Sequence, residues 1–147
     1  MTARTIWIGL PAYNEEATIP ALFPRFREVY PDKSAAYRIV LYNDGCTDRT
    51  VERTLGWQNE LNVEVIGKPV NKGLGEGLRC LVEHAATHGA DDDVLFIMDC
   101  DDTHHPSQFA DMLAVLDRGN DVVIASRYRK GARIAGLRSE EHTSELQ

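Results

Sequence analysis

The 147 residues include 43% hydrophobic and 27% charged side chains, with a formal net charge of −7. That balance suits one globular domain and excludes a general nucleic-acid binder, whose phosphate contacts need a basic face. The three cysteines, Cys46, Cys80 and Cys100, are odd in number and form no C-x-x-C pair, so a reducing, cytoplasmic setting is expected rather than a disulfide framework or a zinc site.

In chain order, Thr5–Leu10 (TIWIGL) reads as a buried strand. A helix follows from about Thr18 to Val29, with Thr18 as its cap, Pro20 tolerated in the first turn and Pro24 expected to kink or interrupt it. Tyr37–Tyr42 is a second strand, and Thr47 is placed to cap a helix running to about Gln58. Val63–Ile66 is a third strand. Asn71–Gly77 is a glycine-rich turn opening a helix to about His88. Val94–Met98 (VLFIM) reads as a fourth, fully buried strand. Pro106 starts a helix through about Leu116, and Asp121–Ala125 (DVVIA) reads as a fifth strand. No apolar run approaches the ~20 residues of a membrane span, and the first is too short for a signal peptide.

This alternation predicts an α/β fold: a mostly parallel, Rossmann-like sheet with helices on both faces. Such sheets bind ligands beyond the carboxyl ends of their strands. Unusual polar residues sit there. Pro11-Ala12-Tyr13-Asn14-Glu15-Glu16 follows strand one, Asn43-Asp44-Gly45-Cys46-Thr47-Asp48 follows strand two, Asp99-Cys100-Asp101-Asp102-Thr103-His104-His105-Pro106 follows strand four, and Ser126-Arg127-Tyr128 follows strand five.

If the chain stays extended, Asp99 and Asp101 point to one side. Two carboxylates packed together raise each other's pKa unless a cation joins them, and a hard divalent ion, Mg²⁺ or Mn²⁺, is the natural partner. A helix N-cap is the plainer reading of Asp102 or Thr103, and His104 and His105 serve equally as ligands or as packing. Asp44 suits a tight turn with Gly45, and can also accept hydrogen bonds from a base or ribose. Tyr13 can offer a ring face to a nucleobase or simply pack. Asn71–Gly77 lacks the spacing of a dinucleotide fingerprint or a P-loop and reads as a helix start packed on the sheet, with Lys72 a possible phosphate contact. Arg127, Arg129, Lys130 and Arg133 form the one dense basic patch. Asp91–Asp93 precedes its strand and reads as solvated.

Five ordered motifs, P-A-Y-N-E-E, N-D-G-C-T-D, N-K-G-L-G-E-G-L-R, M-D-C-D-D-T-H-H-P and A-S-R-Y, resemble those of family 2 glycosyltransferases with the GT-A fold, in their dolichol-phosphate mannosyltransferase-like branch. The resemblance spans Thr5 to Leu137. It implies that Pro11, Tyr13 and Glu15 line a nucleotide pocket with Tyr42 and Asp44. Asp99 and Asp101 would be the D-x-D metal site and the catalytic pair, adjoined by Cys100 and Thr103, and Arg127 would reach the phosphates. Cys46 stands where serine is more usual, and Thr103 where some relatives have a metal contact. The implied reaction is an inverting transfer of sugar from a UDP-, GDP- or dTDP-sugar to an acceptor such as a polyprenyl phosphate, at the cytoplasmic face of a membrane, with no nucleic acid involved.

Residues 1–137 are therefore read as the nucleotide-sugar-binding part of a domain that continues beyond them. Arg138–Gln147 shifts composition and resembles a translated sequencing adapter, so it is read as foreign. VLFIM with Asp99-x-Asp101-x-Thr103 also matches the D-x-D-x-T motif of haloacid dehalogenase-like phosphatases, with Asp99 as nucleophile. That family carries the motif on its first strand. A non-catalytic nucleotide-binding module is a further alternative.

Overall fold

A computed structural model describes residues 4–126 and 128. They fall into two compact units, one ending at Ser107 and one beginning at Gln108. The first unit holds four strands, β1 (Ile6–Ala12), β2 (Tyr37–Asp44), β3 (Val63–Lys68) and β4 (Val94–Ile97), and three helices, α1 (Ile19–Val29), α2 (Thr50–Leu55) and α3 (Leu74–His88). The strands form one parallel sheet in the order β3-β2-β1-β4. The chain thus winds outward from β1 to β3 and then returns to the other side of β1. The seam between β1 and β4 is the switch point at which such sheets open a crevice.

Period-two alternation divides the core. Trp7, Val40 and Tyr42 are buried with Leu81 on the α3 face. Ile8, Leu10, Ile39 and Leu41 alternate with them and are fully buried on the opposite face. α3 comes in close: a Cβ on Gly9 would meet the Leu81 side chain at 3.2 Å, and one on Gly77 would meet the Tyr42 ring at 3.1 Å. The glycine-rich turn is therefore a packed helix start, as its sequence suggests.

Several local expectations give way to tertiary contacts. Pro24 lies inside α1 without ending it, because fully buried Leu22, Phe23 and Phe26 hold both turns in the core. Thr47 does not cap α2. Its N–H donates to Asn14 Oδ1 at 2.8 Å, and the helix starts at Thr50, whose N–H donates to Asp48 Oδ1 at 2.9 Å. β4 is not fully buried. It is an edge strand among the described residues, and Ile97 is 41% exposed.

Asp93 is not a solvated charge. Its carboxylate accepts from Thr5 N at 2.7 Å, Trp7 Nε1 at 2.9 Å and Ala90 N at 3.0 Å. These bonds hold its pKa below the usual carboxylate value against the opposing effect of burial. A carboxylate depressed in this way stabilises the fold above its unfolded value of ~3.9 and loses that contribution as pH falls through the folded value. Asp93→Asn is therefore expected to lower stability at pH 7 by on the order of 1–2 kcal/mol. The difference from wild type should shrink below pH 4, as followed by urea unfolding across pH 2.5–7.

The second unit contains α4 (Gln108–Leu116). The expected strand at Asp121–Ala125 is not formed. Val122 and Ile124 are 75% and 81% exposed, and no ladder pairs this stretch among the described residues. Apolar, β-branched composition favours a strand only where a neighbour supplies the hydrogen bonds. Arg127, Arg129, Lys130, Arg133 and the Arg138–Gln147 tail lie outside the described residues.

Candidate active site

Three of the four polar clusters meet at the carboxyl edge of the first unit's sheet. The loops after β1 and β2 are laced together. Asn14, in a left-handed conformation at φ 57°, donates its N–H to Cys46 Sγ at 3.3 Å. Glu15 N donates to Thr50 Oγ1 at 2.7 Å and Glu16 N to Asp48 Oδ2 at 3.0 Å. Cys46 N donates to Asn43 Oδ1 at 2.8 Å, closing the N-D-G-C turn on itself.

Beside these loops is a cleft of about 170 Å³, lined by Pro11, Ala12, Tyr13, Glu15, Tyr42, Asp44, Gly73, Leu74 and Gly77. It gathers all five residues expected of a nucleotide pocket that lie outside the D-x-D loop and the basic patch. It is smaller than the ~300–1,000 Å³ of sites for drug-sized ligands, so it suits one ring system rather than a whole nucleotide sugar. Tyr13 and Leu74, 50% and 58% exposed, present apolar surface at it. Tyr42 is its buried wall. Burial, followed by the neighbouring Cys80 thiol, pushes its pKa up, and its hydroxyl makes no hydrogen bond of ordinary geometry among the described residues. A larger cavity of about 290 Å³ opens among Arg38, Ile39, Asn62 and Val63. These residues lie at the starts of β2 and β3, away from the polar loops.

Asp44 is 6% exposed. Its carboxylate accepts from Lys72 N at 2.7 Å and Gly73 N at 2.9 Å, so it fastens the start of α3 from the neighbouring strand, where the helix dipole favours an anion. Each oxygen keeps acceptor capacity beyond its one bond. Gly45 carries the turn reading: its φ is +72°, and a Cβ there would stand 2.5 Å from Asn71 N.

The loop after β4 brings side-chain oxygens of Asp99 and Asp101 and a ring nitrogen of His104 within 4.8 Å of one another. Two donors on opposite sides of Mg²⁺ at ~2.1 Å lie ~4.2 Å apart, so this donor set fits a divalent cation after small side-chain rotations. Asp101 Oδ1 accepts from Thr103 N at 3.0 Å and Thr103 Oγ1 at 2.7 Å, which makes Thr103 a brace for Asp101. Thr103 Oγ1 also lies 3.1 Å from His104 Nδ1. His105 faces Ser107 instead, with Nδ1 2.8 Å from Ser107 Oγ. Asp102, at φ 65°, has Oδ1 2.9 Å from Arg25 Nη1. Cys100 is buried, and burial, with the charges of Glu15, Asp101 and Asp99 behind it, pushes its thiol up to about 12.

Sequence reasoning left His104 undecided and missed Leu74, Gly73 and Gly77 as lining residues. The proximity of the Asn71–Gly77 turn to Asp44 is a long-range contact with no local signal. Asp99 follows the fourth strand in the chain, which lies at a sheet edge among the described residues, and this departs from the first-strand placement a haloacid dehalogenase nucleophile requires.

The family model described as Glycosyl transferase family 2 matches residues 7–144. The dolichol-phosphate mannosyltransferase of Pyrococcus furiosus is 31% identical over 126 residues, covering 85% of this chain and 34% of the relative. The chain thus spans about a third of that relative's length. Glucosyl-3-phosphoglycerate synthase of Mycobacterium tuberculosis, solved with UDP, superposes with a TM-score of 0.57 at 28% identity, over 81% of this chain and 42% of that one. Mannosyltransferase PcManGT of Pyrobaculum calidifontis, solved with GDP-Man and Mn²⁺, gives 0.55 at 20% identity over 68% and 28% of the two chains, a likeness of fold.

Proposed function

Because the chain belongs to glycosyl transferase family 2, we propose that it is the donor-binding part of an enzyme that moves a sugar from a nucleoside-diphosphate sugar to an acceptor. The observation that supports this most is the presence, at the carboxyl edge of one sheet, of both an aromatic and acidic cleft and the Asp99–Asp101–His104 donor set. The nucleobase enters between Tyr13 and Leu74, and Asp44 and Glu15 accept hydrogen bonds from the base or ribose. Asp99 and Asp101 hold Mg²⁺ or Mn²⁺, with His104 beside them. When bound, the ion neutralises charge developing on the leaving diphosphate. Arg127 adds a cation to the same phosphates. Attack at the anomeric carbon is a single displacement and inverts it.

The acceptor is a polyprenyl phosphate, which the relative from Pyrococcus supports by name. A phosphate acceptor is already ionised, so transfer to it needs no general base from this chain. No helix among the described residues is long and apolar enough to cross a membrane. A lipid-linked acceptor would bring the reaction to the cytoplasmic face of a membrane.

Thermal unfolding of the chain with UDP, GDP and dTDP, each with and without Mn²⁺, tests the reading. A ligand at ~100 times its Kd stabilises a native state by ~2.7 kcal/mol, which is several degrees for a domain of this size. At least one nucleotide is expected to raise the midpoint by that much only when Mn²⁺ is present. A cooperative transition that no nucleotide moves would count against donor binding.

A further inference from the structure

We propose that Thr18 is a positioning residue that pins the Asp99–Asp101 loop to the wall of the nucleotide cleft. This rests on the donor-site reading above and adds the element that joins its two halves. Threonine at an N-cap ordinarily turns its hydroxyl to the N2 or N3 amide, a contact whose loss costs ~1 kcal/mol. Thr18 occupies the N-cap of α1 but makes no such bond, and its φ of −89° and ψ of −29° are already helical. Pro20 stands at N2 and has no N–H to cap. The hydroxyl is thereby released for other partners.

Those partners lie on two different loops. Thr18 Oγ1 is 2.8 Å from the carbonyl oxygen of Cys100, across 82 residues of sequence. Glu15 Oε2 and the Glu15 carbonyl oxygen, each 2.9 Å away, compete for the same single proton, and the Cys100 carbonyl is the nearest of the three acceptors. The link to Glu15 is kept by the backbone, where Thr18 N donates to Glu15 O at 3.1 Å. Glu15 lines the cleft, and Cys100 lies between the two aspartates. The contact spans the seam between β1 and β4, whose strands are paired only as far as Gly9 and Ile97. Beyond that point Met98 N still donates to Gly9 O at 3.2 Å. The Thr18 hydroxyl is then one of two side-chain ties, among the described residues, from α1 and its N-cap to the loop after β4; the other, Arg25 to Asp102 at 2.9 Å, lies beyond the D-C-D turn.

The hold acts on the middle of the D-C-D turn. The Cys100 side chain is buried at 2% exposure, while its carbonyl is held by Thr18. With Cys100 held at both side chain and carbonyl, the flanking Asp99 and Asp101 are left exposed beside His104. Two carboxylates repel and would separate on a free loop, so the tie holds them at the spacing a shared cation needs. Groups hydrogen-bonded directly to metal ligands change metal affinity ~10–100-fold when removed, and a tie acting one step further out, through the backbone, is expected at the low end of that range.

The test compares Mn²⁺ affinity of the full chain, read from the electron paramagnetic resonance signal of free Mn²⁺, for wild type, Thr18→Val and Thr18→Ser, with the melting temperature of each. Valine keeps the branched shape and loses the hydroxyl. Serine keeps the hydroxyl and loses a methyl group. The expected result is a loss of about 10-fold or more in Mn²⁺ affinity for Thr18→Val, with Thr18→Ser within about 2-fold of wild type. Equal affinity in wild type and Thr18→Val overturns the positioning role while leaving the donor site intact. If the valine variant does not fold, Thr18→Ser decides: a folded serine variant that loses Mn²⁺ overturns the proposal, and one that retains it supports the hydroxyl's part. Absence of Mn²⁺ binding in the wild type overturns the metal reading itself, and this inference with it.

Discussion

Asp99→Asn is expected to abolish the Mn²⁺-dependent part of nucleotide stabilisation while leaving the ligand-free melting temperature nearly unchanged. Asp99 is exposed and close to Asp101 and His104, so its charge contributes little to the fold. An amide supplies a weaker ligand to a hard cation and no net charge, and losing a direct ligand should cost at least the ~10–100-fold attached to outer-shell groups. Asp101→Asn should behave differently in one respect. Asp101 Oδ1 also accepts from the Thr103 amide and hydroxyl, so this substitution disturbs the loop as well as the metal. Calorimetric titration of Mn²⁺ and of a nucleoside diphosphate into both variants checks this. Unaltered Mn²⁺ affinity in Asp99→Asn would remove that residue from the metal site.

Gly45→Ala is expected to be strongly destabilising, at about 2–4 kcal/mol. The left-handed conformation alone costs a side-chain residue roughly 1–2 kcal/mol, and the added Cβ would stand 2.5 Å from Asn71 N and 2.8 Å from the Val70 carbonyl carbon. Neither is a flexible side-chain end that could move aside. Relief would come by shifting residues 70–73 away from Asp44, which breaks the hydrogen bonds from Lys72 and Gly73. The loss should therefore appear in the urea midpoint and in nucleotide affinity together. Gly75→Ala is the control of opposite sign. Gly75 lies in the first turn of α3 with nothing within 4 Å of a built Cβ, so alanine should stabilise by ~0.5–1 kcal/mol. A neutral Gly45→Ala would mean that the Asn71 turn yields more readily than its geometry indicates.

The parts of this architecture legible in the sequence are those whose signal is local. Apolar runs of four to eight residues gave β1 to β3 within two residues at their ends; for the central β1 and β2 this is because a strand buried on both faces has no polar alternation to blur it. The clusters Pro11–Glu16, Asn43–Asp48 and Asp99–Pro106 were recognisable because acidic and turn residues directly after such runs have no packing role to perform there. What failed was set by contacts distant in sequence. Thr47 is drawn off by Asn14, Thr18 by Cys100, and Asp93 by Thr5 and Trp7. In each case a residue with a strong local preference takes a partner more than 30 positions away. The run Asp121–Ala125 shows the reverse: a correct local preference without the neighbouring strand that would realise it.

The two hydrogen bonds that Asp44 receives from the start of α3 bear on how quickly a ligand is accepted. Residues 72 and 73 are fastened by a carboxylate that belongs to the sheet, so their conformational entropy is lost when the chain folds and not when the ligand arrives. Encounter with this part of the cleft needs no loop to close, and association can proceed at the rate set by diffusion and orientation. Discrimination among donors then falls on how long each one stays, which makes residence time the quantity that changes around Tyr13 and Leu74 would alter.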